Sequence, residues 1–158
     1  MNEKNFGMST SKNSSDYFGD FVDWGTAIDD KGTCTTLSGG ESGEWKYLFD
    51  HHVNIWGTCN SVPGQFIAPD NFFGGTAALS AIVSDWKTAQ DAGIVFLPAA
   101  GVRDGSNVLN VGNRGFYWSS SADNEDKAYY VLFNKDGVYP GCSYHLYGSS
   151  VRLITESY

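Results

Sequence analysis

Charge is low in this sequence for a globular domain. Only 18% of its 158 residues are Asp, Glu, Lys or Arg, and the 18 acidic residues outnumber the 10 basic ones, for a formal net charge of −8. Phosphate backbones and anionic membrane surfaces demand clustered Lys and Arg, so the balance argues against nucleic acid and against membrane insertion. No apolar run approaches the length needed to cross a bilayer. Cysteine is scarce too: Cys34, Cys59 and Cys142 are too few and too scattered for a disulfide scaffold, and none sits in a Cys-x-x-Cys pair. A Cys34–Cys59 bridge stays open, with free buried thiols as the default. There is no internal repeat. Met1 to Ser15 is polar and lacks the apolar core of a signal peptide, as in a virion protein made in the cytoplasm or a chain whose leader has been removed.

What the chain does have is aromatics, at 15%, and 19 glycines. That mixture suits a loop-rich, aromatic-cored domain rather than a helical bundle. Residues 1–16 read as a flexible lead-in, and 17–158 as one domain beginning at the aromatics of Tyr17 to Trp24. Trp45, Leu48, Phe49 and His52 fall at i, i+3, i+4 and i+7, one face of a helix of about three turns with Ser42 as N-cap and His51-His52 at its end. Adjacent histidines on a helix point about 100° apart and do not readily share one ion, so their position near the C-terminus reads as structural.

Gly64 to Asn71 reads as a short strand stopped by Pro69. A second helix is expected over Asp85 to Ala92, capped by Ser84 and followed by Gly93; whether Ala77 to Val83 belongs to it is open. Ile94 to Leu97 is a short buried strand ended by Pro98. Ala99 to Arg114 is a loop turning at Asp104 to Asn107. Phe116-Tyr117-Trp118, entered through Gly115 and left through serines, is the expected spine of a sheet completed by Ala128 to Asn134 and Ser150 to Thr155, with a hairpin at Lys135-Asp136-Gly137. Helices first and antiparallel strands last make an α+β domain, two helices packed on small antiparallel sheets.

Four blocks occur in order: Phe96-Leu97-Pro98-Ala99-Ala100-Gly101, then Gly115 to Ser121, then Ala128-Tyr129, then Ser150-Val151-Arg152-Leu153. They resemble the Fibrobacter succinogenes major paralogous (FISUMP) domain. That resemblance implies a C-type-lectin-like fold, shared with the formylglycine-generating enzymes and with variable proteins diversified by retroelements in gut bacteria and their phages. The oxidase chemistry of the former needs two thiols meeting around copper, and the C-terminal half supplies only Cys142. A hydrolase reading lacks a nucleophile motif oriented toward His145. Asp104, Asn107, Asn110 and Asn113 offer oxygens for calcium, but the Glu-Pro-Asn and Trp-Asn-Asp patterns of calcium-binding lectins are absent, and such residues are ordinary turn formers. No cofactor, metal or catalytic residue is expected.

The more informative feature is Ala128 to Phe133. On a two-residue period Tyr129, Val131 and Phe133 take one face and Tyr130 and Leu132 the other, so both faces are apolar. Val138 to Ser149 reads as a loop, yet carries tyrosines among Gly, Ser and His, the composition of an antibody paratope. The alternative is that these rings fold back onto the core. In the retroelement-diversified relatives the variable positions lie on the last strands and their loop and arise from asparagine codons mutated at adenines. Tyr130, Leu132, Tyr139, Gly141, Cys142, Ser143, Tyr144, Leu146, Tyr147 and Ser149 fit that product, with Ser143, His145 and Ser149 as a polar rim. The expectation is a receptor-binding module on a phage tail fibre or bacterial surface, recognising a surface protein or glycan, with a homo-oligomer left open. The alternatives are a relative of the formylglycine-generating oxidases and a structural domain of a surface lipoprotein.

Overall fold

A computed structural model describes residues 36–152. The expected lead-in, the aromatic start at Tyr17 to Trp24, Cys34 and Leu153 to Thr155 lie outside them. Among the described residues the domain is α+β, built from short helices and three small antiparallel sheets.

Helix α1 (Glu44–His51) buries Trp45 and Phe49, as its spacing predicts. It spans eight residues, about two turns, and its cap is not Ser42. Ser38 and Glu44 close a reciprocal box: Glu44 N–H donates to Ser38 Oγ at 2.9 Å and Ser38 N–H donates to Glu44 Oε2 at 2.8 Å. Two otherwise unpaired amides are satisfied at once, by residues six apart rather than three. His51 and His52 do take different partners. His51 Nδ1 meets the Tyr47 carbonyl at 3.0 Å, while His52 lies between the Ala68 carbonyl and Asp70.

The first sheet runs β1 (Asn54–Cys59), β2 (Val62–Ile67), β3 (Val95–Pro98), all antiparallel. Strand β1 has no counterpart in the sequence reading. It pairs with β2 through a two-residue turn at Asn60 and Ser61, both with positive φ (50° and 70°), the conformation that matches the twist of a hairpin. Residues 77–83 resolve into a helix of their own, α2 (Thr76–Ile82), separate from α3 (Trp86–Asp91). Asp85, not Ser84, caps α3, accepting from Lys87 N–H at 3.2 Å, while Ser84 turns back to the Ala81 carbonyl. Gly93 follows with φ +80°, as expected of a helix stop.

The stretch expected to be a plain loop holds a ribbon, β4 (Val102–Asp104) and β5 (Asn107–Leu109). The last sheet is β6 (Gly115–Ala122), β7 (Lys127–Asn134), β8 (Gly137–Tyr144), with β7 in the middle. Strand β8 corrects the loop reading of Val138 to Ser149: its first seven residues are ladder. The Asp-Gly signal is sound, but the turn is Lys135-Asp136 and Gly137 opens β8 opposite Asn134. On its free edge β6 meets Ser150 in a parallel bridge, Trp118 N–H donating to the Ser150 carbonyl at 3.0 Å and Ser150 N–H to the Phe116 carbonyl at 2.9 Å. Phe116 to Trp118 is thus flanked on both sides.

Strand alternation sets three apolar clusters. One face of the first sheet, with Ile67 and Leu97, meets Trp45 and Phe49 of α1 and Tyr117, Val131 and Phe133 of the last sheet. Its other face, with Phe66 and Phe96, is covered by Leu79 of α2 and Ala89 of α3. The far face of the last sheet carries Trp118 and Ala128 against Val151. Two hydrogen bonds tie the layers: Tyr117 Oη–H donates to the Pro98 carbonyl at 3.0 Å, and Trp45 Nε1–H to the Trp118 carbonyl at 3.3 Å. Arg152, whose place between apolar neighbours on the closing segment predicts a structural role on the side opposite Val151, is buried, as is Val151, 1% exposed each.

Candidate binding face

The register of β7 against β8 decides which of the suspected residues meet. Directly paired residues of an antiparallel ladder project to the same side. Trp118 stands opposite Tyr130, Phe116 opposite Leu132, Leu132 opposite Tyr139, Tyr130 opposite Gly141 and Ala128 opposite Ser143. Tyr130, Leu132, Tyr139, Gly141 and Ser143 therefore share one face, as the two-residue period requires. Cys142 pairs with Tyr129 and belongs to the opposite face, away from that group. It is exposed, against the expectation of a buried thiol; Cys59 is buried.

The shared face is graded from core to solvent. Tyr130 is half-buried, its ring 6.5 Å from Trp118 and 5.6 Å from Phe116, and it leans over Gly141: a Cβ there would meet the Tyr130 ring and hydroxyl at 3.0 Å. Burial pushes the Tyr130 phenol above its ordinary range, with the negative charge of an ionised Cys142 acting in the same sense and the Arg114 guanidinium opposing it. Tyr147 packs against the same Trp118 cluster. The exposed member of the face is Tyr139, 47% accessible; Tyr144, equally accessible, pairs with Lys127 and so starts from the side of Tyr129 and Cys142, and Leu146, 67% accessible, follows in the turn. Tyr144 ends β8 with the Lys127 ammonium 4.7 Å over its ring and Tyr147 6.3 Å away.

The expected polar rim divides. His145 is half-buried, its N–H donating to the Asp126 carbonyl at 2.8 Å. Ser143 is half-exposed, but Ser149 is only 2% exposed and belongs to the interior, where the chain returns to pair with β6. Tyr129 also departs from its expected place in the core. It is half-buried beside Gly39 and Gly40, and hydrogen bonding to Asp123 raises its phenol above the ordinary value, with the charge of Asp123 acting in the same sense. On that side Tyr129, Pro140 and Cys142 border a depression of ≈ 470 Å³ completed by residues 39–42.

Two features escaped the sequence reading. The flank of β7 on the core side is open beside Trp56 and Gln65, which belong to the unforeseen β1–β2 hairpin; Asn60-Ser61 between two apolar runs was the available signal. The other is a bulge in β6 between Trp118 and Ala122, where Ser120 N–H turns out to the Leu37 carbonyl at 2.9 Å and Ser121 Oγ accepts from Gly39 N–H at 3.0 Å. No group of three or more His, Cys, Asp or Glu able to hold a metal occurs among the described residues, and no helix there is long and apolar enough to cross a membrane.

A family model described as a domain of unknown function (DUF8237) matches residues 80–154, a stretch that contains every residue of the candidate face. No curated protein and no solved structure matches the chain.

Proposed function

We propose that this chain is a binding domain of C-type-lectin-like fold without chemistry of its own, a receptor-binding module displayed on a phage tail fibre or a bacterial surface. Its partner is a bacterial surface protein or glycan, held by the face of β7 and β8 and the turn that follows. The observation that carries this reading is the exposure of Tyr139, Tyr144 and Leu146 along the edge strand β8 and the turn that follows it, on a sheet whose inner residues are tightly packed. Exposed apolar rings on a rigid support are what interaction sites are made of, and tyrosine is among the residues that most often dominate binding energy. Mounting them on a hairpin backed by Trp118 keeps the ordering cost of binding low.

The test is capture of bacterial envelopes by the immobilised domain. A Tyr139→Ser, Tyr144→Ser, Leu146→Ser variant should stay folded and lose capture. Undiminished capture by that variant would remove the face from consideration.

A further inference from the structure

Strand β8 is an edge of its sheet, with β7 on one side and no strand on the other. Which of its backbone groups face outward follows from the hairpin. Asn134 and Gly137 close the two-residue turn as a hydrogen-bonded pair, and the same phase returns where His145 N–H donates to the Asp126 carbonyl at 2.8 Å. Tyr139, Gly141 and Ser143 therefore direct their N–H and C=O groups to β7, while Val138, Pro140, Cys142 and Tyr144 direct theirs away from it. Among the described residues no backbone carbonyl accepts from the N–H groups of Val138, Cys142 or Tyr144.

The edge lacks the usual guards. Gly-Val-Tyr-Pro-Gly-Cys-Ser-Tyr holds no charged residue in a chain of net charge −8, and its Tyr139, Pro140, Cys142 and Tyr144 are exposed. Long edges are ordinarily shielded by charge, by proline or by a covering segment. Only Pro140 interrupts this one, and it sits where its missing N–H would have pointed outward. An uncharged edge is where two copies of an acidic chain can meet, because like charges set against each other across an interface repel.

One register makes the edge complementary to itself. Two antiparallel copies of β8 related by a two-fold axis at Cys142 set Cys142 opposite its own counterpart and Pro140 opposite Tyr144 of the second copy. The Cys142 pair exchanges two hydrogen bonds, and each Tyr144 N–H donates to the Pro140 carbonyl across the axis. The bond that Pro140 cannot supply is not missed, because the Tyr144 carbonyl already accepts from Tyr147 N–H at 3.2 Å. The same register brings Tyr144 of the second copy to the side of the sheet that Pro140 occupies. There Tyr129, Pro140 and Cys142, with residues 39–42, border the depression of ≈ 470 Å³. Tyr144 is 47% accessible, and a rotamer change away from Tyr147 seats its ring in that hollow, with Glu41 and Ser42 as acceptors for the phenol. An exposed ring and a hollow that exchange under one two-fold operation make an isologous contact.

We propose that β8 pairs edge to edge with β8 of a second copy of this chain, in the register centred on Cys142, joining two three-stranded sheets into one and seating Tyr144 of each copy in the hollow of the other. The pairing lays the Tyr139 faces of the two copies side by side. It does not depend on the receptor-binding reading, since self-association is measured with no receptor present.

The test is sedimentation velocity of the full chain between about 5 and 500 µM, with diamide cross-linking in a Cys34→Ser background. A reversible dimer should appear within that range, as for a small transient interface. Diamide takes up two electrons and two protons as two thiols become a disulfide. It should link Cys142 to its counterpart, since Cα atoms of a hydrogen-bonded pair stand about 5.5 Å apart, within the reach of a disulfide, and Cys59 is buried. Cys142→Lys, at an exposed side chain, should melt as the parent does at low micromolar concentration and weaken self-association at least about tenfold, because two ammonium groups then meet at the axis. Tyr144→Ser should also weaken it and slow the cross-link. A chain that stays monomeric throughout the range overturns the proposal. So does a dimer that leaves Cys142 unlinked or is unaffected by both substitutions, as one formed through β1 would be.

Discussion

The ring of Phe133 fills the place where a side chain on Gly115 would stand. The two are direct partners across β6 and β7, and a Cβ added at Gly115 would fall inside the ring. Phe133 in turn stacks on Tyr117 at 5.7 Å and lies 6.3 Å from Trp56. A bare glycine in one strand thus lets an aromatic of the next reach across and knit two sheets together, which explains why the aromatic run of β6 is entered through glycine.

Gly115→Ala should therefore overpack the centre of the domain and cost about 1–3 kcal/mol. Thermal melts would show it. The Gly115→Ala, Phe133→Leu double variant should lose less than the two single changes added together, because the smaller side chain relieves the clash. Strict additivity would mean that the ring does not occupy the glycine's space.

Trp118 is fully buried and makes the floor on which Tyr130, Tyr147 and Val151 pack. Trp118→Ala should cost about 3–5 kcal/mol, a large part of the stability of a domain this size. A melting temperature within a degree or two of the parent's, roughly the shift of half a kcal/mol, would contradict the packing described.

The tyrosines of the candidate face should not behave alike. Tyr139 and Tyr144 are about half accessible, and serine at either should change stability by no more than about 0.5 kcal/mol. Tyr130→Ser removes a ring wedged between Trp118 and Gly141, and should cost at least about 2 kcal/mol. Denaturant midpoints of the three single variants give the comparison. Equal midpoints would place Tyr130 outside the core.

Tyr130 also makes the domain sensitive to alkali. Burial favours its neutral phenol, so its value in the folded state lies above the unfolded one of about 10. The corresponding stability is complete below about pH 10 and drains away as pH rises through the folded value. Tyr130→Phe should flatten the fall in stability above about pH 10 in denaturant titrations. If the parent and this variant lose stability in parallel there, the phenol is not the cause.

Local pattern was enough for part of this. Trp45 and Phe49 recur at helical spacing and are buried; the alternation of Val131 and Phe133 with Tyr130 and Leu132 survives in the ladder; Asp136-Gly137 marks the β7–β8 hairpin; Pro98 and Gly93 stop their elements. Each depends on backbone geometry within a few residues, which side-chain type reports directly. What escaped was non-local, or local without its usual marker residue. Ser38 caps α1 from six residues away, Asn60-Ser61 gives no glycine to announce its hairpin, and β8 is rich in Gly, Pro and Ser yet becomes a strand because β7 offers it a full ladder.

The candidate face divides along the same line. Its composition marked the right segment, since tyrosine among small residues is visible in any window of the chain. Which of those tyrosines meets solvent was decided elsewhere: the Ser150 return past β6 and Val151 close over Trp118 and draw Tyr130 and Tyr147 partly inward, while Tyr139, Tyr144 and Leu146 stay outside. Periodicity can sort side chains between the two faces of a strand, but only the segments packed against it determine which face is wet.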